Sequence, residues 1–112
     1  MALMTDARTI VANTTVDNVL AGKLHEFLQE NSAVSLSAIA QAIGVRVSLL
    51  IGAEVILDDQ EINARAAAIA IILPDDFQVQ GAGFAGDRLI LRVRNTTGAD
   101  IITRTRVEVT PV

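Results

Sequence analysis

The feature that most limits the fold is the strict two-residue alternation in RLILRVR, residues 88–94. Leu89, Leu91 and Val93 share one side of an extended chain, while Ile90, Arg92 and Arg94 share the other. A half-buried strand is the conformation that gives the leucines a core and leaves the guanidinium groups in water. IITRTRVEV repeats the pattern, with Thr103, Thr105, Val107 and Val109 on one face and Ile102, Arg104, Arg106 and Glu108 opposite. The turn residues of NTTGAD lie between the two runs. They predict an antiparallel hairpin whose loop begins at Asn95.

Alternation recurs upstream. Val34, Leu36, Ala38 and Ala40 share a face, and so do Val45, Val47, Leu49 and Ile51, with Arg46 and Ser48 opposite. Gly52 and Ala53 predict a turn or bulge before EVIL. AAAIAIIL, residues 66–73, reads as a buried strand closed by Pro74, with the alanines at 66–68 keeping a helix open. GAGFAGD reads as a glycine-rich connection, and residues 9–11 as a short edge strand. Only residues 16–30 show helical spacing, through Val16, Leu20, Leu24, Phe27 and Leu28. Thr14 is placed to cap that helix, while Gly22 inside it lowers helical propensity by about 1 kcal/mol and keeps an extended path open.

Six to eight short strands define a mainly β protein: a small antiparallel β-sandwich or partly closed barrel with room for one N-terminal helix. A chain of 112 residues supports one core, so residues 1–112 are read as a single β-rich domain. Its 51% hydrophobic content opposes disorder. The aromatic complement is three Phe, which disfavours binding by base or sugar stacking. Without cysteine, disulfides, thiolate catalysis and cysteine-ligated metals are excluded for the unmodified chain. No stretch has the pattern of a secretion signal or the length of a membrane-spanning helix, so the expectation is a soluble chain without membrane insertion.

Charge is unevenly spread. Residues 1–62 carry three basic and eight acidic side chains, for −5, and residues 63–112 carry six and five, for +1. Arg88, Arg92, Arg94, Arg104 and Arg106 fall in the basic part. On a paired final hairpin, Arg92, Arg94, Arg104 and Arg106 would form one polycationic stripe, suited to carboxylates of another copy or to phosphates. Subunit contact ranks ahead of nucleic acid because the whole chain is acidic, with a net charge of −4. The candidate subunit interface is therefore Ile90, Arg92, Arg94, Ile102, Arg104, Arg106 and Glu108, the two isoleucines supplying apolar anchors.

Chemistry-bearing motifs are sparse. His25 is the sole histidine, and its neighbour Glu26 would not share its helical face. Asp58, Asp59, Glu61, Asp75 and Asp76 have the oxygen chemistry of a hard-cation site but not an EF-hand order, so a small metal-dependent hydrolase ranks low. GAGFAG lacks the lysine and the strand–helix context of a phosphate loop. Asn13 and Asn95 begin N-x-T triplets that are read as turn or cap sequences. No catalytic residue, metal site or cofactor is assigned.

From GVRVSLLIGAEVILDDQEI onward, and most closely in GDRLILRVRNTTGA and the closing VEVTPV, the chain resembles small structural proteins of bacteriophage virions. The resemblance implies a non-enzymatic capsid-forming or capsid-decorating subunit. It would act by homo-oligomeric assembly, with copies of itself or other virion proteins as partners. Its location would be the virion, and the host cytoplasm during assembly. A nucleic-acid-binding accessory protein using the arginine face is the first alternative.

Overall fold

The computed structural model describes residues 2–65, 71, 73 and 75–112. Among them every regular element is a strand: β1 (Ala2–Ile10), β2 (Thr15–Val16), β3 (Ser32–Ala40), β4 (Val45–Ile51), β5 (Glu54–Glu61), β6 (Asn63–Ala64), β7 (Phe77–Gly83), β8 (Leu89–Asn95) and β9 (Ile101–Pro111). In the first sheet β1, β9 and β3 are neighbours in that order. The far side of β3 pairs antiparallel with β7 and, at its end, parallel with β6. The second sheet runs β2, β8, β4, β5.

The two sheets pack as a small β-sandwich. Val34, Leu36, Val107 and Val109 from the first sheet join Val45, Val47, Leu49, Leu89, Leu91 and Val93 from the second in one buried aliphatic cluster. These are the alternating apolar positions of their strands. Each such side chain contributes about 1.5–3 kcal/mol when fully removed from water.

Two expectations are corrected. The final strands do not form a hairpin: β8 pairs with β4 and β2, whereas β9 pairs with β1 and β3. Residues 96–100 cross from one sheet to the other. Buried Asn95 organises that crossing, its amide donating to the carbonyls of Ile10 (3.0 Å) and Ala99 (2.7 Å) and its oxygen accepting from the Thr97 N–H at 2.9 Å. The turn signal holds, but period-two alternation is equally satisfied by central strands of different sheets.

Nor is there a helix over residues 16–30. Leu20 and Leu28 are buried, yet Leu24 and Phe27 are 79% and 55% exposed, which no single buried helical face allows. Gly22 takes φ 79°, outside the right-handed helical range. The segment instead forms a strap along the open edge of β8. Asn18 acts there as a surrogate peptide, its amide donating to the Leu89 carbonyl at 3.2 Å and its oxygen accepting from the Leu91 N–H at 3.1 Å. The Leu89 N–H then donates to the Glu26 carbonyl at 2.7 Å, and Leu28 and Asp87 pair at 2.8 Å. Satisfying an edge ladder outweighs local helical spacing.

β1 begins well before the expected edge strand at residues 9–11, and the first glycines of GAGFAGD belong to β7 rather than to a connection. The strand expected over residues 66–73, with its Pro74 stop, lies outside the described residues except for half-buried Ile71 and exposed Leu73.

Candidate functional site

Because β8 and β9 lie in different sheets, the four arginines expected on one stripe occupy opposite faces of the sandwich. Arg92 and Arg94 lie on the outer face of the second sheet, with Ile90 on the same side of β8. Arg104, Arg106, Glu108 and Ile102 lie on the outer face of the first. The candidate interface therefore divides into two patches, and the single polycationic track that a phosphate backbone would follow does not form.

On the second sheet, Arg94 stands across from Arg46, Arg92 from Ser48, and Ile90 from Leu50. Two facing arginines repel unless an anion lies between them. Asp59 fills that role from β5, where a register break and a left-handed φ of 50° turn its side chain onto the neighbouring strands. Its carboxylate accepts from Arg94 Nη2 at 2.6 Å, Arg94 Nε at 3.2 Å and Arg46 Nε at 3.1 Å. Its own N–H donates to Ser48 Oγ at 2.8 Å. The Arg94 hydrogen bond, with the Arg94 charge and Arg46 behind it, holds the Asp59 carboxyl below the ordinary aspartate value.

On the first sheet, Arg106 pairs along its own strand with Glu108 at 3.7 Å. Arg104 is flanked across the ladder by Ala7 of β1 and Ile39 of β3, neither of which can accept a hydrogen bond from it through a side chain. Beside it an open groove of about 390 Å³ runs along β1 and β9, its lining including Leu3, Asp6, Ala7, Ile71, Arg104 and Arg106.

The charges form a pattern that individual motifs do not reveal. Of the nine Lys and Arg side chains, seven make an ion pair: Arg8 and Lys23 with Asp6, Arg46 and Arg94 with Asp59, Arg65 with Asp76, Arg88 with Glu26, and Arg106 with Glu108. Arg92 and Arg104 have no ion-pair partner among the described residues, and one lies on each outer face.

The acidic residues weighed as cation ligands are distributed differently from that expectation. Asp59 serves the two arginines. Asp76 is fully buried and accepts from Arg65 Nη1 at 3.0 Å and Asn63 Nδ2 at 3.2 Å, while its backbone carbonyl accepts from the Ala38 N–H at 3.1 Å. This buried pair ties the start of β7 to β6 and β3, a role the PDD motif did not signal. Among the described residues no group of three His, Asp or Glu converges as a metal site. His25 is half-buried in a second depression with Gln29, Glu30 and Ser32.

Comparison with known proteins finds no matching family model, no matching curated protein and no matching solved structure.

Proposed function

We propose that this chain is a non-enzymatic structural subunit of a bacteriophage-type virion, forming or decorating the shell by assembling with further copies of itself. The observation that carries the reading is that Arg92 and Arg104, on opposite faces of the sandwich, have no ion-pair partner among the described residues, whereas the other seven cations do. Arginine on a strand face beside exposed aliphatic groups is characteristic of protein interfaces. Here Arg104 has exposed Ile102 beside it on the same face of β9, and Arg92 has half-buried Ile90 beside it on β8. A subunit with a contact on each side can be embedded in a lattice, where repeated modest contacts reinforce one another.

Light scattering on the purified chain at physiological and high salt, followed by electron microscopy of any large fraction, tests this reading. A defined oligomer or shell that loosens as salt rises supports it. A monomer at every concentration and ionic strength contradicts it.

A further inference from the structure

We propose that the Arg104 groove on the outer face of the first sheet receives the acidic strand β5 of a second copy, with Glu54 and Asp58 as its anionic contacts. This rests on the assembly reading above and specifies which surfaces meet. The groove has the two guanidinium groups of Arg104 and Arg106 and one carboxylate, Asp6, whose charge is taken up by Arg8 and Lys23; among the described residues Arg106 pairs with Glu108 at 3.7 Å and Arg104 with no acid. Arg104 is left with an aliphatic neighbour on each side. The site is thus electropositive with an apolar lip of Leu3, Ala7 and Ile71.

The complementary surface is on the same molecule but cannot be reached within it. β5 is the free edge of the second sheet and exposes Glu54 and Asp58, neither of which makes an ion pair among the described residues. Between them Val55 is 54% exposed, giving the strand an apolar element to match the groove lip. The acidic excess of residues 1–62 and the slight basic excess of residues 63–112 have the same polarity as this pairing.

Two of the sheet edges, β5 and β1, oppose the competing arrangement, in which copies extend one another's sheets. β5 is interrupted by two register breaks and by Asp59 at φ 50°. On β1, one edge of the first sheet, Asp6 and Arg8 lie between buried Met4 and Ile10 on the same face of the strand and form a bidentate pair at 2.6 and 2.9 Å. Lys23 Nζ also donates to the Thr5 carbonyl at 3.2 Å, covering an edge acceptor. Inward charges, lysines and bulges are the devices by which natural sheets block strand addition. At these edges, contact through side chains on a face is favoured over strand addition. Groove and β5 are different patches, so the contact is head-to-tail and propagates into a ring or an open array.

The test is a charge exchange between two full-length variants, Arg104→Glu and Glu54→Arg/Asp58→Arg, each followed by sedimentation velocity alone and mixed. Alone, each presents like charges at both halves of the contact, and apparent association falls by about tenfold or more. Mixed one to one, every groove finds an oppositely charged β5 on the other variant, and assembly returns with alternating subunits. Wild-type assembly unchanged in both variants would overturn the contact while leaving the assembly function standing. Loss in each variant without recovery on mixing would overturn β5 as the occupant. Wild-type chain that is monomeric throughout overturns both readings. A mass distribution unaffected by Arg104→Glu, together with loss of single-stranded DNA binding, would assign the groove to phosphates instead. Unchanged melting temperatures establish that both variants fold.

Discussion

Arg46 and Arg94 face each other across β4 and β8 and share the carboxylate of Asp59, which reaches them from the left-handed kink in β5, while Glu61 lies 3.9 Å from Arg46 alone. A local like-charge conflict and a break in strand register are thereby one feature. The bulge turns the acid toward the ladder, and the acid makes the arginine pair tolerable.

Replacing Asp59 with Asn tests that coupling, because Asn tolerates the same left-handed backbone but carries no charge. The expected loss is about 1 kcal/mol by urea denaturation, in line with exposed ion pairs and like-charge cross-strand pairs. Added salt should shrink the difference between variant and wild type.

Acid sensitivity follows from the same site and from Glu26. Glu26 is held below its ordinary value of 4.5 first by the Gly22 backbone N–H and then by Arg88, and Asp59 is held below 3.8 mainly by Arg94. A carboxyl depressed on folding stabilises the fold fully above its unfolded pKa, and that contribution disappears as pH falls through the folded value. The urea midpoint should therefore be level near neutrality and fall below about pH 4.5, with Asp59→Asn falling less steeply.

Gly83 in β7 is a packing requirement. A Cβ there would lie 2.5 Å from Leu28 Cδ1 and 2.6 Å from Ile51 Cγ2, at the seam between strap, β4 and β7. Gly83→Ala should destabilise by about 1–3 kcal/mol. Gly98→Ala, with nothing within 4 Å of the new methyl, should leave the melting temperature nearly unchanged.

Asn18 fastens the strap to β8. Its removal in Asn18→Ala leaves the Leu91 N–H and Leu89 carbonyl without side-chain partners. A loss of about 1–3 kcal/mol is expected. Limited proteolysis should cut first within residues 17–28, ahead of global unfolding.

Much of this architecture is readable from residue type. Leu89, Leu91 and Val93 are buried because their strand alternates, and the outward placement of Arg92, Arg94, Arg104 and Arg106 follows from the same period. Partner choice is different, since alternation states which side is apolar and not which strand lies beside it. That is why β8 and β9 read as a hairpin although Asn95 leads the chain from one sheet to the other. The strap was obscured for a related reason: Leu20 and Leu28 fit a helical stripe, whereas the deciding interactions are backbone hydrogen bonds and the Asn18 amide. At Gly81 and Gly83 absent side chains resembled a loop, because the need for space beside Ile51, Ile56 and Leu28 exists only once the sheets are packed. The pairing of Asp59 with two arginines depends on a kink that composition does not encode.

The most direct test of the central claim is the solution mass of the Arg92→Ala/Arg104→Ala double variant beside that of the wild type, by sedimentation velocity at physiological salt. The wild type should form a defined oligomer or larger assembly, and the variant should sediment mainly as monomer with an unchanged melting temperature. A monomeric wild type, or a double variant that assembles equally well, would contradict the account.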